Sequence, residues 1–335
     1  MASFEKRGKR WRVRLRINGA DMSRSFATKA EAKAWAAQME AEASAGTLHI
    51  APAHLTVGDL LRRYLEQETP KKRGQRSETI RIKRMLGEGK ADTDPLCHIP
   101  LNRVGRADIV DWRERRLKEI APASVARELS TIKAVFTWAT RELGWYNVSP
   151  AANVSPPQKS PPRVRRVTDD EVALLMTACG LKEGMQPYNK TQEAVHAFRL
   201  AIETAMRAGE ILSLRWEHVD FARRVAHLEI TKNGDPRDVP LSSRAVELLR
   251  MMEGKHPQKV FTVSPKTMDV LFRRVRDMAD LKDLHFHDSR AEALTRLSKK
   301  VDVMRLARIS GHRDIKILYN TYYRETAEDI AKLLD

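Results

Sequence analysis

Between Asn153 and Arg166 the chain reads NVSPPQKSPPRVRR, with prolines at 156, 157, 161 and 162. Proline has no amide hydrogen and a locked φ, so no helix or sheet interior runs through this stretch. It is read as an extended, semi-stiff connector over residues 153–166. A chain of 335 residues interrupted in this way folds as separate bodies on either side, two or three domains in all.

Charge narrows the partner. Lysine and arginine number 61 against 44 aspartate and glutamate, a formal charge of +17, and the pI is about 10.0. A polyanion is expected. Nucleic acid is favoured over an anionic membrane because the basic residues spread through several elements instead of forming one amphipathic anchor. No apolar run approaches the roughly 20 residues of a spanning helix, and MASFEKRGKRW lacks the apolar core of a secretion signal, so a cytoplasmic protein is expected. Cys97 and Cys179 are far apart, lie in no CxxC pair and are read as structural thiols.

Upstream of the connector, residues 11–17 alternate strictly. Trp11, Val13, Leu15 and Ile17 fall on one strand face, and Arg12, Arg14 and Arg16 on the other. With Lys9 and Arg10 just before, these arginines form a ridge suited to a DNA groove; the plainer alternative is an exposed strand kept soluble by charge. Asn18-Gly19 signals a hairpin turn, and an Ala-rich helix follows, capped by Thr28 and ended by Gly46. From Leu55 the pattern becomes helical: one helix starts at a Thr56 cap, a second at Ser77, a third spans 106–120 and a long fourth spans 121–145. Their polar faces carry Lys72, Arg73, Arg76, Lys83, Arg84, Arg113, Arg115 and Arg116, and this bias across consecutive helices favours a second DNA-contacting body over ordinary solvated faces.

Downstream, Thr168 caps a helix whose first turn is acidic, and EAVHAFRLAIETAM leads to Arg207, with Glu210 at i, i+3. Arg207 lies between the apolar runs AIETAM and ILSL, which makes it partly buried. The segment RVAHLEITKNGDPRDVPL reads as a β-hairpin turning at Asn233-Gly234, with Lys232 just before the turn. Residues 284–325 then concentrate reactive groups: His287 and Arg290 at i, i+3, Gly311-His312 closing an apolar-periodic run, and Tyr322-Tyr323 on a short third run. Imidazole, guanidinium and phenol together indicate phosphoryl transfer. Zinc at His285, His287 and His312 is rejected, because no cysteine lies nearby and the arginines repel a cation.

Taken in order, Arg207, Lys232, His287, Arg290, His312 and the tyrosine pair resemble the catalytic set of the tyrosine recombinases, the phage integrase family. TAMRAGEILSLRWEHVD is similar to the family's first arginine box, HDSR to its His-x-x-Arg box and ISGHRD to its Gly-His box; VAHLEITKNGDPRDVPL and LHFHDSRAEA resemble shufflon-type DNA invertases. The resemblance implies a mainly α, α+β chain in four parts: an arm-type DNA-binding module over 1–52, a helical, SAM-like core-binding domain over 53–152, the linker over 153–166 and the catalytic domain over 167–335. It also implies strand exchange on double-stranded DNA by a homotetramer on synapsed sites, helped by accessory DNA-bending or directionality proteins, in a bacterial or phage-infected cell.

A covalent phosphotyrosine retains the phosphodiester's energy, so neither ATP nor a metal cofactor is expected. Arg207 and Arg290 donate paired N–H groups to the non-bridging oxygens, Glu210 orients Arg207 or a neighbouring backbone, and His287 and His312 hydrogen-bond the phosphate or accept the phenol proton. By resemblance, Lys232 is the general acid for the leaving 5' oxygen. Three departures from the family pattern stand out: Ala291 follows Arg290 where many members carry histidine, Ser289 replaces a common leucine, and the position nine residues after His312 holds Thr321. Tyr322 needs the smallest shift and shares a helical stripe with Ile315 and Leu318, which favours it over Tyr323, with Tyr319 third. The departures also leave open a decayed, non-enzymatic DNA-binding protein; a type IB topoisomerase-like activity is the third reading, disfavoured by the separate N-terminal module.

Overall fold

The alternation of the arginine strand builds the first sheet. In the computed structural model, which describes residues 2–17, 20–44, 51–89, 92–158, 163, 165–229 and 236–323, the chain divides into two compact units, 1–162 and 163–335. In the first, β1 (Ala2–Arg7), β2 (Arg10–Ile17) and β3 (Ala20–Phe26) form an antiparallel sheet in that order. Val13 and Leu15 are buried, Arg14 and Arg16 are exposed, and Arg12 donates to Ser23 Oγ at 3.0 Å. Helix α1 (Lys29–Ser44) lays Ala32 and Ala36 against Val13, and Thr28 Oγ1 caps it by accepting from the Glu31 amide at 3.2 Å. The Asn18-Gly19 turn and Gly46 lie outside the described residues.

Four helices follow: α2 (Val57–Gln67), α3 (Gln75–Met85), α4 (Arg106–Leu117) and α5 (Pro122–Arg141). Their inward stripes, including Leu61, Ile82, Trp112 and Phe136, make one core. Thr56 and Asp59 form the expected capping box on α2. Helix α3, however, begins at Gln75 and not at a Ser77 cap. The Ser77 and Glu78 amides already donate to Gly74 O at 3.1 and 3.2 Å, and the buried Glu78 carboxylate draws this turn in by accepting from Thr69 Oγ1 at 3.0 Å.

The same carboxylate holds Lys72, whose Nζ pairs with Glu78 at 2.9 Å, contacts the Tyr64 hydroxyl and lies 4.6 Å from the centre of that ring. Its side chain stays partly exposed. Arg116 is likewise turned onto the buried Glu128 at 3.0 and 3.1 Å, Arg115 onto Asp94 at 2.6 Å, and Arg113 donates to Ser155 O at 2.7 Å. Arg73, Arg76, Lys83 and Arg84 remain exposed, Lys83 beside Glu88 at 3.0 Å.

The connector is also shorter than its composition implies. Val154 is buried in the four-helix core, while Arg163, Arg165 and Arg166 are held by carboxylates of the second unit, Arg166 on Glu292 at 2.6 and 3.0 Å. Lys159–Pro162 and Val164 lie outside the described residues.

The second unit runs α6 (Asp169–Ala178), α7 (Lys190–Thr204), α8 (Ala208–Leu212), β4 (Val219–Asp220), β5 (Val225–Leu228), β6 (Arg237–Pro240), α9 (Ser243–Arg250), α10 (Pro265–Met278), α11 (Asp288–Ser298), α12 (Val303–Ser310) and α13 (Ile315–Tyr322). The two strands of the expected hairpin are β5 and β6, with β4 added at the edge, and the Asn233-Gly234 turn lies outside the described residues. Helix α7 is almost wholly buried and is the post around which α9, α10 and α11 pack. A large core centred on Phe198, Phe261 and Phe272 is joined by a small one of Ala205, Ala293, Leu294, Leu306, Ala307 and Leu318. The fold is mainly helical with two small antiparallel sheets, as the sequence implied. No described helix is long and apolar enough to cross a membrane.

Candidate active site

The small core sets the site because it holds the ends of four segments. Helix α7 ends in a left-handed residue, Ala205, at φ 54°, and this turn redirects the chain so that Arg207 becomes the N-cap of α8. A buried non-glycine residue in that conformation persists only where its surroundings hold it. Here Arg290, only 4% exposed on α11, donates from Nη1 to Ala205 O. Its Nη2 donates to Ser310 O at 2.6 Å, so one guanidinium ties the turn before Arg207 to the end of α12.

Glu210 holds Arg207 as the i, i+3 spacing implied. Its carboxylate accepts from the Arg207 backbone N–H at 2.8 Å and from Arg207 Nη1 at 2.8 Å. Reasoning from the sequence missed a third cation, Arg237 at the start of β6, which donates to the same carboxylate from Nη1 and Nη2 at 3.0 and 2.7 Å. The signal was present: Arg237 is two residues from the buried Val239 and pairs in register with the buried Leu228, so strand alternation turns it inward. Burial alone would raise the Glu210 carboxyl, but the hydrogen bonds from Arg237 and Arg207 bring it down to about 2, so it stays ionised.

Gly311 ends α12 at φ 69°, a left-handed C-cap, and places His312 behind it. His312 Nδ1 lies 2.7 Å from Ser310 Oγ. Burial, and then the charges of Arg290, Arg207 and Arg237, push the imidazole down to about 4, so it is neutral at pH 7. Burial and the charge of Arg207 bring the Arg290 guanidinium down to about 10.

Helix α13 is too short to be stable alone and is seated by Leu318, which is fully buried. Tyr322 is half-buried on the same stripe; burial raises its phenol, and the Arg290 charge opposes that rise. Tyr323 donates its hydroxyl to Val301 O at 2.5 Å, and Tyr319 is 60% exposed.

Arg207, Glu210, Arg290, His312 and Tyr322 are thus brought into one cluster. His287 heads α11 with its side chain exposed, one turn before Arg290. Lys232 lies outside the described residues. Ser289, one of the departures, is buried and donates to Phe286 O at 2.6 Å.

Residues 165–329 match the model of the Phage integrase family. The chain is 40% identical over 99% of its length to a Haemophilus influenzae protein bearing the name "Putative integrase/recombinase", covering 89% of that protein. It belongs to the phage integrase family, the tyrosine recombinases. It is also 34% identical to the shufflon-specific DNA recombinase of Escherichia coli, over 83% of this chain and 72% of that one. Among solved structures it shares a fold with the Tn1549 transposon integrase in complex with circular intermediate DNA, at a TM-score of 0.65 and 19% identity over 84% of this chain and 99% of that one. A lambda integrase tetramer bound to a Holliday junction superposes at a TM-score of 0.63 with 20% identity, over 94% of each chain.

Proposed function

We propose that this protein is a site-specific DNA recombinase, an integrase or invertase, that cuts and rejoins strands of double-stranded DNA through a covalent 3'-phosphotyrosine. The observation that carries the reading is the convergence of Arg207, Arg290, His312 and Tyr322, four segments of the chain, around a local surplus of positive charge. Tyr322 Oη attacks the phosphorus, the bond from phosphorus to the 5' oxygen breaks, and Lys232 protonates that oxygen. Neutral His312 accepts the phenol proton, and His287 hydrogen-bonds the phosphate. Arg207, steadied by Glu210, and Arg290 stabilise the charge that grows on the non-bridging oxygens. Attack by a 5'-hydroxyl from the partner duplex reverses the step, and two rounds of it pass through a Holliday junction.

Around this chemistry, residues 1–52 act as an arm-type reader through Lys9, Arg10, Arg12, Arg14 and Arg16. Residues 53–152 bind the core site through Lys72, Arg73, Arg76, Lys83 and Arg84, and residues 167–335 carry the catalytic set. Four protomers on two synapsed sites are the working assembly, a reading supported by the lambda integrase tetramer; accessory DNA-bending or directionality proteins set the outcome.

A nicked suicide duplex carrying the cognate site tests the proposal. The wild-type chain and Tyr323→Phe trap as covalent adducts on a 3' phosphate, whereas Tyr322→Phe does not. Loss of trapping in Tyr323→Phe alone reassigns the nucleophile. Salt-sensitive DNA binding by the wild-type chain with no adduct overturns the enzymatic reading in favour of a DNA-binding protein.

A further inference from the structure

We propose that Arg237 is a positioning residue for the strand-cleavage step, locking β6 onto both the Glu210 carboxylate that holds Arg207 and the segment leading into Gly311-His312. The inference rests on the recombinase reading above and goes beyond it, because Arg237 lies within the VAHLEITKNGDPRDVPL segment but is not one of the residues to which the family resemblance gives a role. Its guanidinium uses three of its nitrogens on two targets. Nη1 and Nη2 grip Glu210, the carboxylate that also holds Arg207, at 3.0 and 2.7 Å, and Nε donates to Ile309 O at 3.1 Å. Ile309 is three residues before His312. One planar fork therefore fixes the distance between the segment that presents Arg207 and the one that presents His312.

Two further observations agree. The Arg237 side chain is 10% exposed against a Glu210 that is 5% exposed, so the pair is shielded and its geometry is not averaged by solvent. Gly311 accommodates it directly: a Cβ built on Gly311 would lie 3.1 Å from Arg237 Nη1 and 3.2 Å from both Cδ and Cζ. The glycine of the Gly-His box thus leaves room for this arginine as well as supplying the left-handed turn.

Arg237 also contributes a charge. Among the described residues, the charged and titratable groups that cluster with His312 include Arg207 and Glu210 at the head of α8, Arg237 on β6, Arg290 on α11 and Tyr322 on α13. Of these, the three arginines oppose protonation of the imidazole. Removing Arg237 takes one away, whereas Arg237→Lys keeps the charge and loses the fork.

The test is the rate of adduct formation on the nicked duplex as a function of pH, with DNA binding measured in parallel, for the wild-type chain, Arg237→Gln and Arg237→Lys. Arg237→Gln is expected to bind the duplex as the wild type does but to cleave about 100-fold more slowly, the size of effect a misplaced reacting group produces. Its acid limb should also move up in pH. Arg237→Lys is expected to cleave at an intermediate rate with the acid limb unmoved. Arg237→Gln at the wild-type rate overturns the proposal. So do equal rates and unmoved limbs in both variants, which would mark Arg237 as a fold support only. If Arg237→Gln does not fold, Arg237→Lys decides, and a wild-type rate there overturns the need for the fork. A wild-type chain that binds but forms no adduct overturns the recombinase reading and this proposal with it.

Discussion

Glu210→Gln removes one negative charge from between two guanidinium groups while keeping the shape. The native carboxylate accepts four hydrogen bonds: two from Arg207, through its backbone N–H and Nη1, and two from Arg237. A glutamine keeps one oxygen and turns an NH2 toward the arginines, so about half of these contacts become donor against donor. Charge-assisted bonds contribute roughly 1.5–3 kcal/mol each. Independently, stripping one partner from a buried ion pair costs about 3–5 kcal/mol because the other charge is left uncompensated. With Glu210 and Arg237 at 5% and 10% exposure, the two routes agree on a loss of about 4 kcal/mol from the catalytic unit. For a unit of this size that lowers its melting temperature by about 10 °C, which scanning calorimetry of the full chain would register. The control is Glu210→Met with Arg237→Met. An apolar pair of similar volume should recover part of the loss, since the Arg237 charge is gone and only the partly solvated Arg207 is left without its carboxylate. A Glu210→Gln shift below about 1 kcal/mol, or a double variant worse than the single, would refute the claim that this carboxylate is the electrostatic keystone of the site.

Other outcomes follow from the same geometry. Stability should fall on acidification in two successive windows. His312 and the fully buried His196 sit near 4 in the folded chain, so from about pH 6.5 down to 4 the unfolded state takes up protons that the folded state does not. Glu210, Glu292 and Glu183, each near 2, do the same from about pH 4.5 downward. A urea midpoint independent of pH between 4 and 6.5 would contradict this. Gly311→Ala should cost at least about 1–2 kcal/mol, combining a left-handed φ of 69° with a clash against Arg237, and should slow cleavage; an alanine tolerated in both respects would count against that packing. Arg14→Ala, on the exposed face of β2, should weaken binding to arm-site DNA and flatten the salt dependence by about one counterion, read by titration at several salt concentrations; an unchanged slope would remove it from the interface.

Much of the architecture was legible because it depends on near neighbours in the chain. Strict alternation in residues 11–15 placed Val13 and Leu15 inside, and Thr56 and Thr168 announced helix starts through contacts only three residues long. Lys72 and Arg116 show the converse. Nothing on their own helices or turns announces the partners Glu78 and Glu128, which pair with their charges from elsewhere in the bundle. The Ser77 start failed because a buried carboxylate on the first turn outweighed the local capping preference.

By itself the sequence marked the candidate reactive groups and the segments that carry them: an arginine with a glutamate three residues on, a His-x-x-Arg box, a Gly-His turn and a tyrosine stripe. Each is a matter of periodicity or capping within one segment. Tertiary structure alone decided that Arg237 joins Glu210 across 27 residues and Ile309 across 72, that Arg290 binds Ala205 O across 85, and that the hydroxyl of Tyr323 is tied to a carbonyl while Tyr322 lies under the influence of Arg290. The physical reason is that burial and charge pairing, which set the state of His312 and the geometry of the arginines, belong to groups brought together only when the four segments close on the small core.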